Sequence, residues 1–241
     1  MKSSFTIKDS LENKISYCHL ALFLIALPFD RFYSELVLIS FLFHTCFHLN
    51  AQRLRAMLNQ TNLILSSVFL VGLAGMLWSQ DGTQAGKDMQ RQLAILLFPL
   101  LLSASGLDLI AYRKRLLLVF GLTCAATVLY LYVEAFRIIL YNKLPLSSLL
   151  SSFFINHNFS EPVAIHATYL SMYIAITMIA FLYYLLDEKN NTTRIVYLLL
   201  IAVLLAGLMQ LASRAVLIAT MFIITIAFPF LRRNALVSRK N

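Results

Sequence analysis

Charge is scarce in this chain. Asp, Glu, Lys and Arg make up only 13% of its 241 residues, about half of what a soluble domain carries. Hydrophobic residues reach 60%, more apolar surface than one soluble core of this length could hide. A soluble globular domain is thereby excluded. Cysteine is also rare: Cys18, Cys46 and Cys124 all lie in apolar segments, without metal-ligand spacing, and read as small core or lipid-facing residues. There is no Gly-rich phosphate loop, no paired-carboxylate signature, no Ser/His/Asp signature, no internal repeat and no low-complexity segment. Nothing in the sequence asks for a cofactor. The formal net charge is +9, but the basic residues sit in short runs between apolar segments. That pattern is topological and does not form a nucleic-acid-binding stripe.

What the chain has instead is apolar length. From Ile195 to Leu231 it carries a single charge, Arg214. One straight helix over that stretch would span about 55 Å, against a hydrocarbon core of about 30 Å. Two spans joined by a tight turn at 210–214 resolve the mismatch and place an arginine at one membrane face. Eight apolar segments emerge in all: Ile15–Phe29, Phe32–Leu49, Asn62–Trp78, Leu93–Ser105, Leu116–Leu140, Val163–Leu186, Ile195–Leu211 and Val216–Leu231. The fourth is short and holds Pro99, which predicts a tilted, kinked or partly re-entrant segment. The first lacks a small-x-small cleavage site and leads through Asp30 and Arg31 into the second, which predicts a retained span. The predicted fold is all-α: a polytopic transmembrane helical protein of about eight spans, a single transmembrane domain over residues 1–241.

Loop charges set the predicted direction. With the N-terminus in the cytoplasm, 14 of the 20 Lys and Arg fall on the cytoplasmic side, including Lys2, Lys8, the Arg113-Lys114-Arg115 cluster and the C-terminal Arg232, Arg233, Arg239 and Lys240. The outer side keeps Arg31, Lys87, Arg91, Arg137, Lys143 and Arg214. The split follows the positive-inside rule and puts both termini in the cytoplasm. The outer loops are then Asp30–Arg31, Ser79–Gln92, the long Tyr141–Pro162 stretch and the Ser213–Arg214 turn. Any chemistry must be assembled from scattered side chains at that boundary.

Arg214 is the first candidate. A guanidinium at an interface either grips a diphosphate through two parallel hydrogen bonds or snorkels to lipid headgroups. His166 opens the sixth segment and shares a helical face with Tyr169, Leu170 and Tyr173 by three- and four-residue spacing. That face suits a sugar-binding wall or an interfacial aromatic belt. Arg91, with Lys87 and Asp88, forms either a solvated amphipathic approach or extra positive charge for an anion site. Glu134 and Arg137 have the spacing of a structural helix pair. His44 and His48, four apart, lack a nearby third metal ligand. His157 falls in a Ser/Asn-containing stretch read as mobile, and Glu161 is followed by Pro162.

Three stretches carry a resemblance. Leu77-Trp78-Ser79-Gln80-Asp81, followed by Asp88 to Leu93 and Leu97-Phe98-Pro99-Leu100, resembles an early segment of bacterial O-antigen ligase-like membrane proteins. Ser160-Glu161-Pro162 through Ile165-His166-Ala167-Thr168-Tyr169-Leu170-Ser171 is similar to a later segment in which His-Pro-Thr-Tyr is common; here Ala167 replaces the proline. Leu211-Ala212-Ser213-Arg214-Ala215 resembles the family's Ser-Arg turn. The resemblance implies transfer of a glycan from an undecaprenyl diphosphate carrier to a lipid A–core acceptor at the periplasmic face of the bacterial inner membrane. It implies a substrate-binding role for Arg214, with His166, Tyr169 and Arg91 as further substrate-binding candidates, and leaves the catalytic residues unassigned. Polysaccharide polymerisation, transport and an inactive lipid-binding remnant are the alternatives. The family's large periplasmic loop, with an essential histidine, follows the Ser-Arg turn. The chain therefore reads as the N-terminal portion of such a protein, and it is expected not to ligate glycan on its own.

Overall fold

In lipid every backbone polar group must find its partner within the protein, so apolar segments of this length become helices. The computed structural model describes residues 9–230, apart from the side chain of Arg91, and among the described residues there are helices and turns but no strand. All eight apolar segments are helical over most of their length. Among the described residues, four helices are long and apolar enough to cross a membrane: Gln60–Trp78, Leu109–Tyr141, Ala167–Asp187 and Asn191–Leu211. The other four segments, over their described residues, differ from these in separate ways. Helices α1 (Leu11–Ala26) and α2 (Arg31–Phe47) have 16 and 17 residues, about 24–26 Å at 1.5 Å per residue. Helix α5 (Gly82–Ala104) is long but opens on the polar Gly82–Gln92 stretch and runs unbroken through Pro99. Helix α10 (Arg214–Phe222) continues through a π-helical stretch, Ile223–Ala227, to Phe230. Lys2, Lys8 and the C-terminal basic residues, on which part of the predicted orientation rests, lie outside the described residues.

The chain divides into two compact units: Met1–Phe23 with Phe32–Arg113, and Leu24–Arg31 with Lys114–Asn241. In the first, α1 and α2 run antiparallel, because Ser16 meets His44 while His19 meets Ser40. After the short α3 (Ala51–Met57), α4 (Gln60–Gly75) and α5 form a second antiparallel pair. Asn62 at the start of α4 donates to Ser103 Oγ near the end of α5 (2.8 Å), and Gly72 faces Met89. Asn50, Asn59 and Asp81 cap α3, α4 and α5 by accepting from Arg53, Asn62 and Gln84 backbone N–H groups, which satisfies donors that a helix start leaves free. Outside the face that buries Asn62, Ser66 and Phe69, α4 leaves apolar side chains exposed, among them Leu63, Ile64, Leu65, Val68 and Val71. A broad apolar surface left bare in this way suits lipid. Ahead of the first apolar segment, Arg53 donates to the Glu12 carboxylate and to His48 O, and this guanidinium holds the Glu12 carboxyl below the usual carboxylate range.

The second unit is built on α6 (Leu109–Tyr141), from Lys114 onward, α8 (Ala167–Asp187), α9 (Asn191–Gln210) and α10. At 33 residues α6 is about 50 Å long, so it outreaches the hydrocarbon core. The Arg113-Lys114-Arg115 cluster stands in its first turns instead of the expected loop. Asp108 caps that start by accepting from Ile110 and Ala111 N–H, both at 3.0 Å. Lys114 lies over the ring of Tyr184, 5.3 Å from its centroid. Helices α8 and α9 form a hairpin closed by only Glu188-Lys189-Asn190. Glu188 accepts from the next two backbone N–H groups, and Asn190 caps α9. Those two backbone donors, Asn190 N–H first, also keep the Glu188 carboxyl below its ordinary range.

Small residues let these helices approach. A Cβ on Gly207 of α9 would stand 2.5 Å from Val128 of α6, and one on Gly121 would collide with the ring of the fully buried Phe181. One turn along, Tyr132 donates to Ala206 O at 3.0 Å. Close packing between small residues is the main attraction available to helices in lipid. Gly207→Ala therefore forces α6 and α9 apart or Val128 off its rotamer, a cost of about 1–3 kcal/mol. Gly75→Ala, where nothing lies within 4 Å, carries no such cost. Thermal unfolding in nanodiscs should show a lower midpoint for the first variant only; equal midpoints would place α6 and α9 further apart than described.

Candidate functional site

The predicted turn at 210–214 is present. Helix α9 ends at Gln210, Ala212 takes the left-handed conformation (φ 48°), and α10 begins at Arg214 after Ser213. Leu211 N–H bonds to Gly207 O and Ala212 N–H to Met209 O, which consumes the last carbonyls of α9. Arg214 is exposed at the first residue of α10, and among the described residues it makes no ion pair or side-chain hydrogen bond. Its helix is anchored by Val216, which joins the core of the unit.

His166 caps α8, its Nδ1 accepting from Thr168 N–H at 3.3 Å. Neutral His166 therefore carries its proton on Nε2, the nitrogen left for other partners. The residues spaced with it do not form one wall. Tyr169 is 57% exposed, whereas Leu170 is fully buried and Tyr173 packs edge-on against Phe120 at 5.6 Å. What joins His166 is instead His157, their ring centroids 4.0 Å apart, with Tyr169 at 5.8 Å. The spacing argument missed His157 because the contact depends on how a loop folds. Arg91 stands within α5, in the first unit, and its side chain lies outside the described residues.

The Tyr141–Pro162 stretch, expected as a long loop and mobile around His157, is folded. It consists of 3₁₀ turns at Leu146–Leu150 and Ser152–Phe154, the short helix α7 (His157–Ser160) and a further 3₁₀ turn at Glu161–Val163. Phe154, Phe159, Ser160 and Val163 are buried. Gln210 explains the order. Its side chain, 6% exposed, donates from Nε2 to Leu149 O at 2.7 Å and to Phe154 O. Its own carbonyl accepts from Asn156 N–H at 3.1 Å. Sequence reasoning had placed Gln210 in the turn without a role.

Between this connection and the end of α6 lies a groove of about 530 Å³, lined among others by Glu134, Asn142, Asn158 and Glu161. Glu134 and Arg137 pair at 2.6 Å, as their spacing predicted. In the first unit, His44 and His48 are joined by His19. The His19 and His44 rings stack at 5.3 Å, and the His44 and His48 rings lie 4.8 Å apart. Among the described residues no His, Cys, Asp or Glu group has the arrangement of a metal site. Each of the three histidines is engaged: His19 with Ile15 O and Ser40 Oγ, His44 with Ser16 Oγ, and His48 with His44 O.

Compared with known protein families, with curated proteins and with solved structures, the chain matches none.

The Gln210 contacts carry a prediction. Gln210→Leu leaves the Leu149 and Phe154 carbonyls without their donor and should cost about 1–3 kcal/mol. Gln210→Glu should cost more, since it also sets a carboxylate against two carbonyl oxygens. Hydrogen exchange should report faster exchange at Asn156 and Phe159 in both variants, and unchanged protection would mean that the connection folds without Gln210.

Proposed function

We propose that this chain is a bacterial inner-membrane protein of eight crossings, both termini cytoplasmic, that holds an undecaprenyl diphosphate-linked glycan at its outer face for transfer to a lipid A–core acceptor. The proposal follows the resemblance to O-antigen ligase-like proteins. One observation carries it: the only charge in a 37-residue apolar run, Arg214, is an exposed cation at a helix start with no partner among the described residues. The N-terminal end of a helix already carries a partial positive charge. A guanidinium added there is unfavourable until an anion arrives, and a diphosphate relieves both at once. Its oxygens can take two parallel hydrogen bonds from Arg214. The same contact would stabilise charge developing on the leaving group during glycosyl transfer. His157, His166 and Tyr169 offer a polar, partly aromatic surface in the same unit, where an acceptor hydroxyl could be met.

Two measurements test this reading. Arg214→Ala should weaken binding of an undecaprenyl diphosphate-linked glycan in nanodiscs by about ten- to a hundredfold, the loss of a charged hydrogen-bond donor. Arg113→Ala, on the opposite face of the proposed topology, should leave it nearly unchanged. Equal, small effects would make Arg214 an interfacial anchor.

Orientation is tested on a variant lacking Cys18, Cys46 and Cys124. A cysteine replacing Ser147 should react with an impermeant thiol reagent added to the periplasm, and one replacing Lys189 should not. The reverse pattern would invert the topology and remove Arg214 from the outer face.

A further inference from the structure

The groove beside α6 has a chemistry that Arg214 does not share. Its volume, about 530 Å³, is that of a ligand pocket rather than a packing defect. The buried Leu131 and Ala135 of α6 form its floor with the buried Phe154 and Phe159, and the more exposed Ile138 also lines it. Phe153 and Pro162 stand at the mouth, Phe153 74% exposed.

The polar rim is rich in acceptors. Asn142 Nδ2 donates to Ile138 O at 2.9 Å and Asn158 Nδ2 to Ser152 O at 2.8 Å. Each amide is thereby tethered through its nitrogen, and among the described residues neither Oδ1 has a partner. Ser151 Oγ spends its hydrogen on Ser148 O. Two carboxylates complete the rim. Glu134 is neutralised by Arg137, whereas the exposed Glu161 has no side-chain partner among the described residues. The Glu161 backbone is set by its place at the start of a 3₁₀ turn. Pro162 follows it, and Ala164 N–H closes onto its carbonyl at 2.9 Å.

An occupant must bring donors for these oxygens and an apolar face for the floor. An anion would meet the uncompensated carboxylate of Glu161, and an acyl chain would leave that carboxylate and two amide oxygens unsatisfied, at a cost for each polar group removed from water. A sugar ring has the required pairing: hydroxyls that donate on its edge and C–H groups on its face, which suit the electron-rich faces of phenylalanine rings. We propose that this groove is a carbohydrate-binding site, with Glu161, Glu134 and the Asn142 and Asn158 amide oxygens accepting sugar hydroxyls over a phenylalanine-lined floor. The proposal rests on the glycan reading above and assigns the sugar its own place, separate from the diphosphate.

The test uses the full chain in nanodiscs with soluble methyl glycosides of glucose, galactose and N-acetylglucosamine. Binding is followed by saturation-transfer NMR and by the fluorescence of a tryptophan replacing Phe153 in a Trp78→Phe background. At least one glycoside should bind saturably and shift that fluorescence. Glu161→Gln, which keeps the shape, should weaken it by about tenfold with helix content and melting point unchanged, and Asn158→Leu, which also removes the donor to Ser152 O, should weaken it by about tenfold with helix content unchanged. Inorganic pyrophosphate should not compete. Absence of saturable binding by every glycoside, or binding indifferent to both substitutions, overturns the proposal. Arg214→Ala separates the two ideas. If it abolishes lipid-diphosphate binding while no glycoside binds, the groove proposal fails and the anion reading stands. If glycosides bind through Glu161 while Arg214→Ala leaves lipid-diphosphate binding intact, the groove stands and the anion reading fails.

Discussion

The second unit depends on one buried amide. A connection made of 3₁₀ turns and a single α-turn exposes carbonyls that no helix ladder consumes, and against apolar helices those carbonyls need a donor from within the protein. Gln210 supplies it twice through its side chain and accepts a third bond through its own carbonyl. That third bond holds Asn156 at φ 61°, ψ −127°, a conformation that costs about 1–3 kcal/mol when nothing enforces it. Asn156 directly precedes α7, so its geometry sets where His157, Asn158 and Phe159 point. The groove wall and the contact between His157 and His166 both follow from this.

A second constraint fixes where α9, and with it Gln210, can stand. Gly207 lies one turn before Gln210 and rests directly against Val128. Any larger residue there would lift the end of α9 from α6 and carry the Gln210 amide away from the Leu149 and Phe154 carbonyls. Tyr132 strengthens the same junction from the α6 side by bonding to the Ala206 carbonyl. Packing at Gly207 and hydrogen bonding at Gln210 are therefore successive parts of one arrangement. The first brings the backbones together, and the second uses the resulting position to order a loop.

The helices were legible because apolar length is a strong signal, and the turn before Arg214 was legible because one charge interrupts an otherwise uncharged run. The Glu134–Arg137 pair needed only helical spacing. The reading failed where tertiary contact decides the outcome. The Tyr141–Pro162 stretch has the Ser, Asn and Pro content of a loop, and its buried Phe154 and Phe159 show no periodicity. Gln210 looked like a polar residue at a helix end, and its partners lie 56 and 61 residues away. The face predicted for His166, Tyr169, Leu170 and Tyr173 was split for a geometric reason. The exposed strip of α8 runs from Tyr169 through Met172, Ile176 and Tyr183, so Tyr173 and Leu170 lie on the other side of Tyr169 and turn toward the core. Helix lengths also departed from the apolar runs, because capping by Asp81 and Asp108 extends α5 and α6 into polar sequence.

Arg214 and the groove carry opposite chemistry on the same unit, and Gln210 links them structurally. It lies four residues before the cation, and its amide grips Phe154, which lines the groove. A ligand that is anionic at one end and hydroxyl-rich at the other matches such an arrangement better than one that is uniformly charged. A free polyanion would be drawn to Arg214 and repelled by Glu161, while a neutral sugar would find the groove and gain nothing from the helix start. On the proposed reading, the combination discriminates against both diphosphate without sugar and sugar without diphosphate, because each forfeits one set of contacts. A site of that kind obtains selectivity from two modest, separately satisfied interactions, without a single strong one. The rigidity that keeps the two sets in register comes from the hydrogen bonds of Gln210.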